Sequence, residues 1–314
     1  NVEGCAVTHI CDLDIKKLEI AKKKYPSIHI TNSIDEIFKN SEIDAVVIAT
    51  PVSTHYDLAS KALESNKHIL VEKPLTDNVK QAQILGKKAN DKNKILMIDH
   101  TYLYTPAIQK IKELIDSNSL GEIQYIDSTR INLGLFQTDV NVMWDLAVHD
   151  IAICCYLLNE KPISVQAVGI SHTKNELENI AYITLNYKSQ KLIHFNCSWI
   201  SPVKIRHMLI GGDKKMIVFN DLETTEKIKI YDSSYANKIN PENRGQILTD
   251  YRIGDIFIPK IEQIEGLRNM AEDFINSIQS NKEPISNFDL ALDIVKILES
   301  AQKSIKSNGV VVEI

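Results

Sequence analysis

The sequence predicts an α/β chain, with a doubly wound parallel sheet in front and an α+β region holding a large, mostly antiparallel sheet behind. Three observations predict it. Over roughly the first hundred residues, short apolar runs alternate with amphipathic helical stretches, the rhythm of right-handed βαβ units. Two of those runs, 44–50 and 68–72, are apolar almost throughout, as in parallel strands covered on both faces. After Tyr104-Thr105-Pro106 longer alternating runs take over, which suit antiparallel strands with one buried face.

The elements follow in order. A β-like run, 6–11, ends at Asp12, and Asp14 caps a helix from Ile15 to Tyr25 that Pro26 stops. Ile28-His29-Ile30 is a short strand, and Ser33 with Glu36 forms a capping box for a short helix. The apolar strand 44–50 leads into a helix over 53–65, the strand 68–72 into a helix starting at Thr76, and 95–98 is a further strand. One helix then runs to about residue 118, and strands are expected over 122–132, 165–172, 180–187, 191–199, 206–210 and 227–231. A helix over 144–158 interrupts them, and helices over 265–279 and 289–307 are long enough to pack back on the domain junction. The expected domains are 1–103 and 104–314, in close contact, because no low-complexity linker separates them.

Composition excludes several classes. The 314 residues are 44% hydrophobic and 25% charged, enough for two packed domains of ordinary globular make-up. A net charge of -5 with interspersed signs offers no basic face for nucleic acid. No apolar run is long enough to span a bilayer, and the N-terminus lacks the pattern of a secretory signal. Cys5, Cys11, Cys154, Cys155 and Cys197 have apolar surroundings and no Cys-x-x-Cys spacing, which suits buried thiols in a reducing cytoplasm and no metal site.

A few polar residues stand out by position. Asp12 ends the first strand, where a carboxylate either accepts ribose hydroxyls or caps a helix. Thr50 and Pro51 end the most apolar strand, and ligands of such sheets bind beyond the carboxyl ends of strands. His55 follows on the next helix, where a surface histidine is the competing reading. Glu72-Lys73-Pro74 places opposite charges at another strand end, and its X–Pro bond can adopt cis. An exposed ion pair is the alternative there. Asp145 and His149, four apart on an otherwise apolar helix, share a face and need polar partners. They form either an internal Asp–His pair or part of a site. Arg130, Asn132, Lys204 and Arg206 lie in or beside strand-like stretches, where they either bind hydroxyls or a diphosphate or sit on the surface.

Four of these segments together resemble the glucose-fructose oxidoreductase/inositol dehydrogenase/rhizopine catabolism (Gfo/Idh/MocA) family. They are Ile10-Cys11-Asp12-Leu13-Asp14, Ala49-Thr50-Pro51 with His55, Glu72-Lys73-Pro74, and the run from Trp144 to Asp150. The resemblance implies a Rossmann-type dinucleotide-binding front domain and a substrate-binding, subunit-pairing back domain. It implies a cofactor held by Asp12, Thr50, Pro51, His55, Glu72 and Lys73, with NAD favoured over NADP because Asp12 repels a 2′-phosphate. It places Lys73, Asp145 and His149 in the cleft between the domains. There His149 would serve as general base, Lys73 would hold the substrate oxygen, and Asp145 would orient substrate or base. Leu103 stands where the family usually has Arg, so no role carries over to Tyr102-Leu103-Tyr104.

The departure from the family is at the front. A dinucleotide-binding fold opens with a strand and a glycine-rich turn about twenty residues before the ribose acid. Here Gly4 is the only glycine before Asp12. The expectation is a truncated reading of a longer enzyme, favoured by the retention of Lys73, Asp145 and His149, with two sheet edges left unpaired. The stretch 130–150 looks most like members acting on nucleotide-linked amino sugars in surface-polysaccharide pathways. The first expectation is therefore oxidation at C3 of a UDP-N-acetylhexosamine, with Arg130, Asn132 and Arg206 binding the substrate. An inositol or free-sugar dehydrogenase, and a non-catalytic sugar or nucleotide regulator, are the alternatives. The resemblance also implies a homodimer or homotetramer.

Overall fold

In the computed structural model, which describes residues 2–134, 136–174, 176–239 and 247–314, the chain divides into two units. One is Asn1–Thr101 with Leu267–Val295, the other Tyr102–Gly266 with Lys296–Ile314.

The first unit runs β1 (His9–Cys11), α1 (Ile15–Lys24), β2 (His29–Thr31), α2 (Ile34–Lys39), β3 (Ala45–Ile48), α3 (Val52–Glu64), β4 (His68–Glu72), α4 (Val79–Asp91) and β5 (Leu96–Asp99). All its strand pairs are parallel, in two separate sheets, β1-β2 and β3-β4-β5. Asp14 caps α1 through the Lys16 N–H, as its position before the apolar stripe predicts. The Ser33–Glu36 capping box does not form. The Ser33 side chain makes no cap bond, and Glu36 instead meets His29 Nε2 at 3.4 Å. Strands β4 and β5 are buried, with Ile69, Val71, Met97 and Ile98 at 0% exposure. Strand β3 differs from its predicted cover on both faces, since Val47 is 63% exposed. Among the described residues β3 pairs only with β4 and β1 only with β2, so each has an open edge. On the far side of β5, Ser286 bonds Ile98 through both backbone and hydroxyl.

The second unit opens with a 3₁₀ turn over Thr101–Tyr104 and α5 (Pro106–Asp116). Then come β6 (Ile123–Leu133), a π-helical turn Met143–Ala147, α6 (Val148–Leu157), β7 (Ser164–Ile170), β8 (Ile180–Asn186), β9 (Leu192–Ser198) and β10 (Ile200–Gly212). The rest are β11 (Met216–Asn220), β12 (Ile228–Tyr231), β13 (Ser234–Ile239), β14 (Ile247–Arg252), β15 (Ile256–Phe257) and β16 (Val312–Glu313). Helix α7 (Gly266–Ser280) and the start of α8 (Phe288–Lys306) belong to the first unit, and the rest of α8 leads to β16 in the second. Nine strands form one sheet in the order β15-β12-β11-β10-β6-β9-β8-β7-β16, and only β6 and β9 run parallel. This is the large, mostly antiparallel sheet that the alternating runs predict. Strand β10 is longer than expected and shifts register against β6 between Ile200 and Ile205, where Pro202 cannot donate to the ladder.

Helix α6 is apolar nearly all round and correspondingly buried. Cys154 and Cys197 are buried, and burial pushes both thiols up, whereas Cys5 and Cys11 are exposed, contrary to the expectation of buried thiols throughout. None of the described helices is long and apolar enough to cross a membrane.

Candidate active site

In the first unit the candidate residues lie at or just beyond the carboxyl ends of β1, β3 and β4, the ends at which parallel sheets bind ligands. Asp12 is half-buried, and one of its oxygens accepts the Asp14 N–H at 2.8 Å. Thr50 and Pro51 are exposed, and the Thr50 hydroxyl meets that of Thr54 at 2.7 Å.

His55 is not the surface histidine of the competing reading, nor does it present a ring nitrogen to a cofactor. It is fully buried, with Nδ1 2.9 Å from the Pro74 carbonyl and Nε2 2.8 Å from that of Thr50. The ring thus lies between the loops after β3 and β4, and the nitrogen that carries the proton donates to one of these two carbonyls, which helps to position the loops that carry Thr50 and Lys73.

Glu72 and Lys73 are half-buried, and the Lys73–Pro74 peptide is cis. The Lys73 N–H donates to Glu72 Oε2 at 3.1 Å. Register pairs Glu72 with Asp99 on β5, so two carboxylates stand side by side. Burial, and then the Asp99 charge, hold the Glu72 carboxyl above its ordinary range, against the pull of Lys73. The next residue after Asp99, His100, is 2% exposed, and its Nδ1 lacks a hydrogen-bond partner. Burial, with the Lys73 charge adding to it, pushes the His100 pKa down to about 3, so the ring is neutral.

In the second unit the π turn passes into α6 between Asp145 and His149, a local irregularity of the kind common at functional sites. Both side chains are half-buried. Asp145 Oδ2 accepts the Trp199 indole N–H at 3.0 Å. The His149 ring lies 5.1 Å from the Tyr102 ring, edge to face at 65°.

The turn holding His149 is anchored by the next residue. Asp150, 4% exposed, takes Arg130 Nη2 at 2.6 Å and Nε at 3.0 Å on one oxygen, and the Ser128 hydroxyl at 3.0 Å on the other. Arg130 was expected to bind substrate; it is instead 3% exposed, and this internal pair engages it, with its remaining nitrogen Nη1 3.0 Å from the Tyr102 hydroxyl. Burial opposes the Arg130 charge, but Asp150 and then Tyr102 outweigh it and raise the guanidinium pKa. Arg206, across the ladder from Arg130, reaches the same Tyr102 hydroxyl at 2.8 Å and Asp221 at 3.4 Å. Arg206 is half-buried, and its Nε is buried without a partner. Asn132 is half-buried near the end of β6, where the register shifts.

Sequence reasoning missed Tyr102, Asp150 and Asp221. One signal was available: Ser128 and Arg130 alternate with Ile126 on the inward face of β6, and buried polar groups require partners. Asp150, one residue beyond His149, faces the sheet, where it meets Ser128 and Arg130.

Comparison with known proteins adds the following. Residues 1–100 match the family model "Oxidoreductase family, NAD-binding Rossmann fold", and residues 108–218 match "GFO/IDH/MocA C-terminal domain". The chain is 32% identical over 158 residues to UDP-N-acetylglucosamine 3-dehydrogenase of Acidithiobacillus ferrooxidans, covering 49% of this chain and 48% of that protein. The match thus spans about half the length of that relative. It is 23% identical over 312 residues to scyllo-inositol 2-dehydrogenase (NADP(+)) IolW of Bacillus subtilis, covering 92% and 84%. Its fold is like that of the A. ferrooxidans UDP-N-acetylglucosamine 3-dehydrogenase GnnA, with TM-score 0.78, 21% identity and 96% and 90% coverage. It is also like that of a levoglucosan dehydrogenase in complex with NADH and levoglucosan, with TM-score 0.81, 19% identity and 98% and 90% coverage.

Proposed function

Because this chain belongs to the Gfo/Idh/MocA family of oxidoreductases, we propose that it oxidises or reduces a secondary alcohol of a sugar with a nicotinamide cofactor. The single observation that carries this reading is the placement of His149. A half-buried imidazole sits on a helix turn that a buried ion pair holds still, which is what a positioned acid–base group requires.

The strand ends fit part of a dinucleotide. The Asp12 carboxylate suits ribose hydroxyls, and Thr50, Pro51, Glu72 and Lys73 suit the far end of the cofactor. NAD is the cofactor this reading favours, on the charge of Asp12. A bound nicotinamide supplies the hydride acceptor.

The protein's own groups do the rest. A ring nitrogen of His149 takes the hydroxyl proton as the carbon is oxidised, and returns it in the reverse direction. The Lys73 ammonium holds the same oxygen and stabilises the negative charge developing there. Asp145, fixed by Trp199, orients the substrate or the imidazole. Arg206 and Asn132 are the substrate-binding residues of this reading; Arg130 keeps Asp150 in place.

The substrate we propose is a UDP-N-acetylhexosamine oxidised at C3, in surface-polysaccharide synthesis. The local identity to the A. ferrooxidans dehydrogenase supports it. The inositol dehydrogenase aligned along most of the chain supports inositol or a free sugar as the second reading. A homodimer or homotetramer is also proposed. Val168, Ile170, Tyr182 and Leu192, each 44–55% exposed, lie on neighbouring strands β7, β8 and β9 and give subunit pairing an apolar surface.

The test is NADH formation against UDP-N-acetylglucosamine, UDP-N-acetylglucosaminuronate, inositol and glucose, in wild type and in His149→Ala and His149→Asn. Loss of roughly 10²–10⁴-fold in turnover is expected for both variants. Unchanged turnover would remove His149 as the base. Ligand binding by calorimetry with no turnover would make the chain a binding module instead.

A further inference from the structure

We propose that Phe136, stacked on Trp199, is a platform for the sugar ring of the substrate, with the Asn132 amide and the Asp145 carboxylate at its rim. The inference deepens the proposed sugar dehydrogenase by naming what recognises its sugar, and rests on that reading.

The platform is built from the segments that follow β6 and β9. The Phe136 and Trp199 rings lie 5.6 Å apart at 24°, a stacked pair. Trp199 is 1% exposed and Phe136 38%, so the stack has a buried base and an open outer ring. The base is anchored. Its indole N–H donates to Asp145 Oδ2 at 3.0 Å, its backbone N–H donates to the Asn179 carbonyl at 2.9 Å, and its own carbonyl accepts the Gly134 N–H at 3.0 Å. Gly134 brings the amide in. A Cβ there would lie 3.2 Å from the Trp199 ring and 2.8 Å from the Asn132 amide nitrogen, so the missing side chain lets both close on the same stretch of backbone.

An aromatic face with an amide and a carboxylate at its edge suits a sugar ring. The face of the phenyl ring is negative, and the C–H hydrogens on one side of a pyranose are weakly positive. The hydroxyls at the rim of the sugar need polar partners, which Asn132 and Asp145 supply. A nucleobase would also stack on such a ring. The carboxylate at the rim decides for the sugar. Asp145 lies four residues before His149, where the π turn passes into α6, and the part of the substrate that meets the base is the sugar. The chemistry also fixes which side of the sugar faces Phe136. In a gluco-configured ring the hydrogen on C3 shares its face with that on C5, and hydride leaves from that face toward the nicotinamide. The opposite face, with the hydrogens on C2 and C4, is the one left for the phenyl ring.

The test compares wild type with Phe136→Leu, which keeps apolar bulk and loses the flat face, and Phe136→Tyr, which keeps the face. Affinities of the full chain for UDP-N-acetylglucosamine, glucose, inositol and UDP are measured by calorimetry with NADH present, so that no alcohol is turned over. Phe136→Leu is expected to weaken the sugars that bind by about three- to tenfold and to leave UDP within about twofold, and Phe136→Tyr is expected to match the wild type. In ligand NMR the hydrogens on C2 and C4 of the hexosamine shift upfield in wild type and Phe136→Tyr, and not in Phe136→Leu. Binding with this dependence but no turnover with NAD would sink the dehydrogenase reading and leave the platform standing. Turnover with unchanged sugar affinity in folded Phe136→Leu would overturn the platform and leave the enzyme standing. An equal loss of UDP, which makes the ring a uracil platform, or failure of every sugar to bind, would overturn the proposal as well.

Discussion

Replacing Asp150 by Asn removes one charge from a buried pair and almost no volume, and the structure sets the size of the effect. Arg130 and Asp150 are 3% and 4% exposed, and their closest approach is 2.6 Å. At that distance, with an effective dielectric of about 20, the gross attraction is roughly 6 kcal/mol. The desolvation of both ions offsets much of it, so the pair adds little net stability over an apolar replacement. Breaking it is another matter. In Asp150→Asn the Arg130 charge stays in the interior with no opposite charge to offset its desolvation. The expected loss is about 3–5 kcal/mol, read as a lower urea midpoint at unchanged slope. For a domain of about 150–250 residues this lowers the melting temperature by roughly 10 °C. The double change Arg130→Met with Asp150→Leu removes both ions together and should recover most of the loss. If Asp150→Asn melts within about 2 °C of the wild type, the guanidinium reaches solvent or another anion, and the account of how the His149 turn is anchored is wrong.

Two other predictions concern the first unit. The His100 ring, with its pKa pushed from 6.5 to about 3 by burial and the Lys73 charge, is neutral in the native state, while the unfolded chain takes up the proton. Its contribution is therefore complete above about pH 6.5 and is lost progressively as the pH falls toward 3, by up to about 5 kcal/mol at about 1.4 kcal/mol per tenfold in proton affinity. His100→Asn should flatten the acid limb of stability against pH in urea titrations, and a limb as steep as that of the wild type would refute the assignment. On α4, a methyl group added at Gly86 would lie 2.1 Å from the Phe288 ring, so Gly86→Ala should destabilise by about 1–3 kcal/mol. Phe288→Leu should relieve that loss in a double-mutant cycle, and additive losses would show that the two residues do not meet in solution.

Much of the architecture was legible because it rests on local periodicity. The rhythm of apolar runs and amphipathic helices marks β3, β4, β5 and their helices, and period-two alternation marks β6 to β9. What was lost depends on tertiary context. Strand β11, Met216–Asn220, is a short apolar run that periodicity cannot assign, and it became a strand by pairing with β10 and β12. The Ser33–Glu36 capping box satisfied a sequence rule, but His29 on β2 lies within reach of the first turn of α2 and took the carboxylate. Val47 reads as doubly covered because its run is apolar, whereas its exposure depends on what packs on that face of β3, which no local window contains.

The candidate site divides along the same line. Glu72, Lys73, Asp145 and His149 were picked out by strand ends and helix spacing, and only the family resemblance made those positions a proposed site. The residues around the His149 turn were not, because they come from three distant stretches of chain. Tyr102 follows β5, Arg130 lies on β6 and Arg206 on β10, and only the register that sets Arg130 opposite Arg206 brings both to one hydroxyl. A lone arginine in a strand is properly read as exposed, since nothing local tells it from a surface residue. Two arginines facing one phenol in an interior are a different matter, because each must be offset or the fold loses stability. Asp150 and Asp221 supply the opposite charges, one for each arginine. Charge balance thus accounts for both arginines, and burial is what separates them: Arg130 is 3% exposed and enclosed, whereas Arg206 is half-buried, which is why the proposed function gives the substrate to Arg206 and not to Arg130.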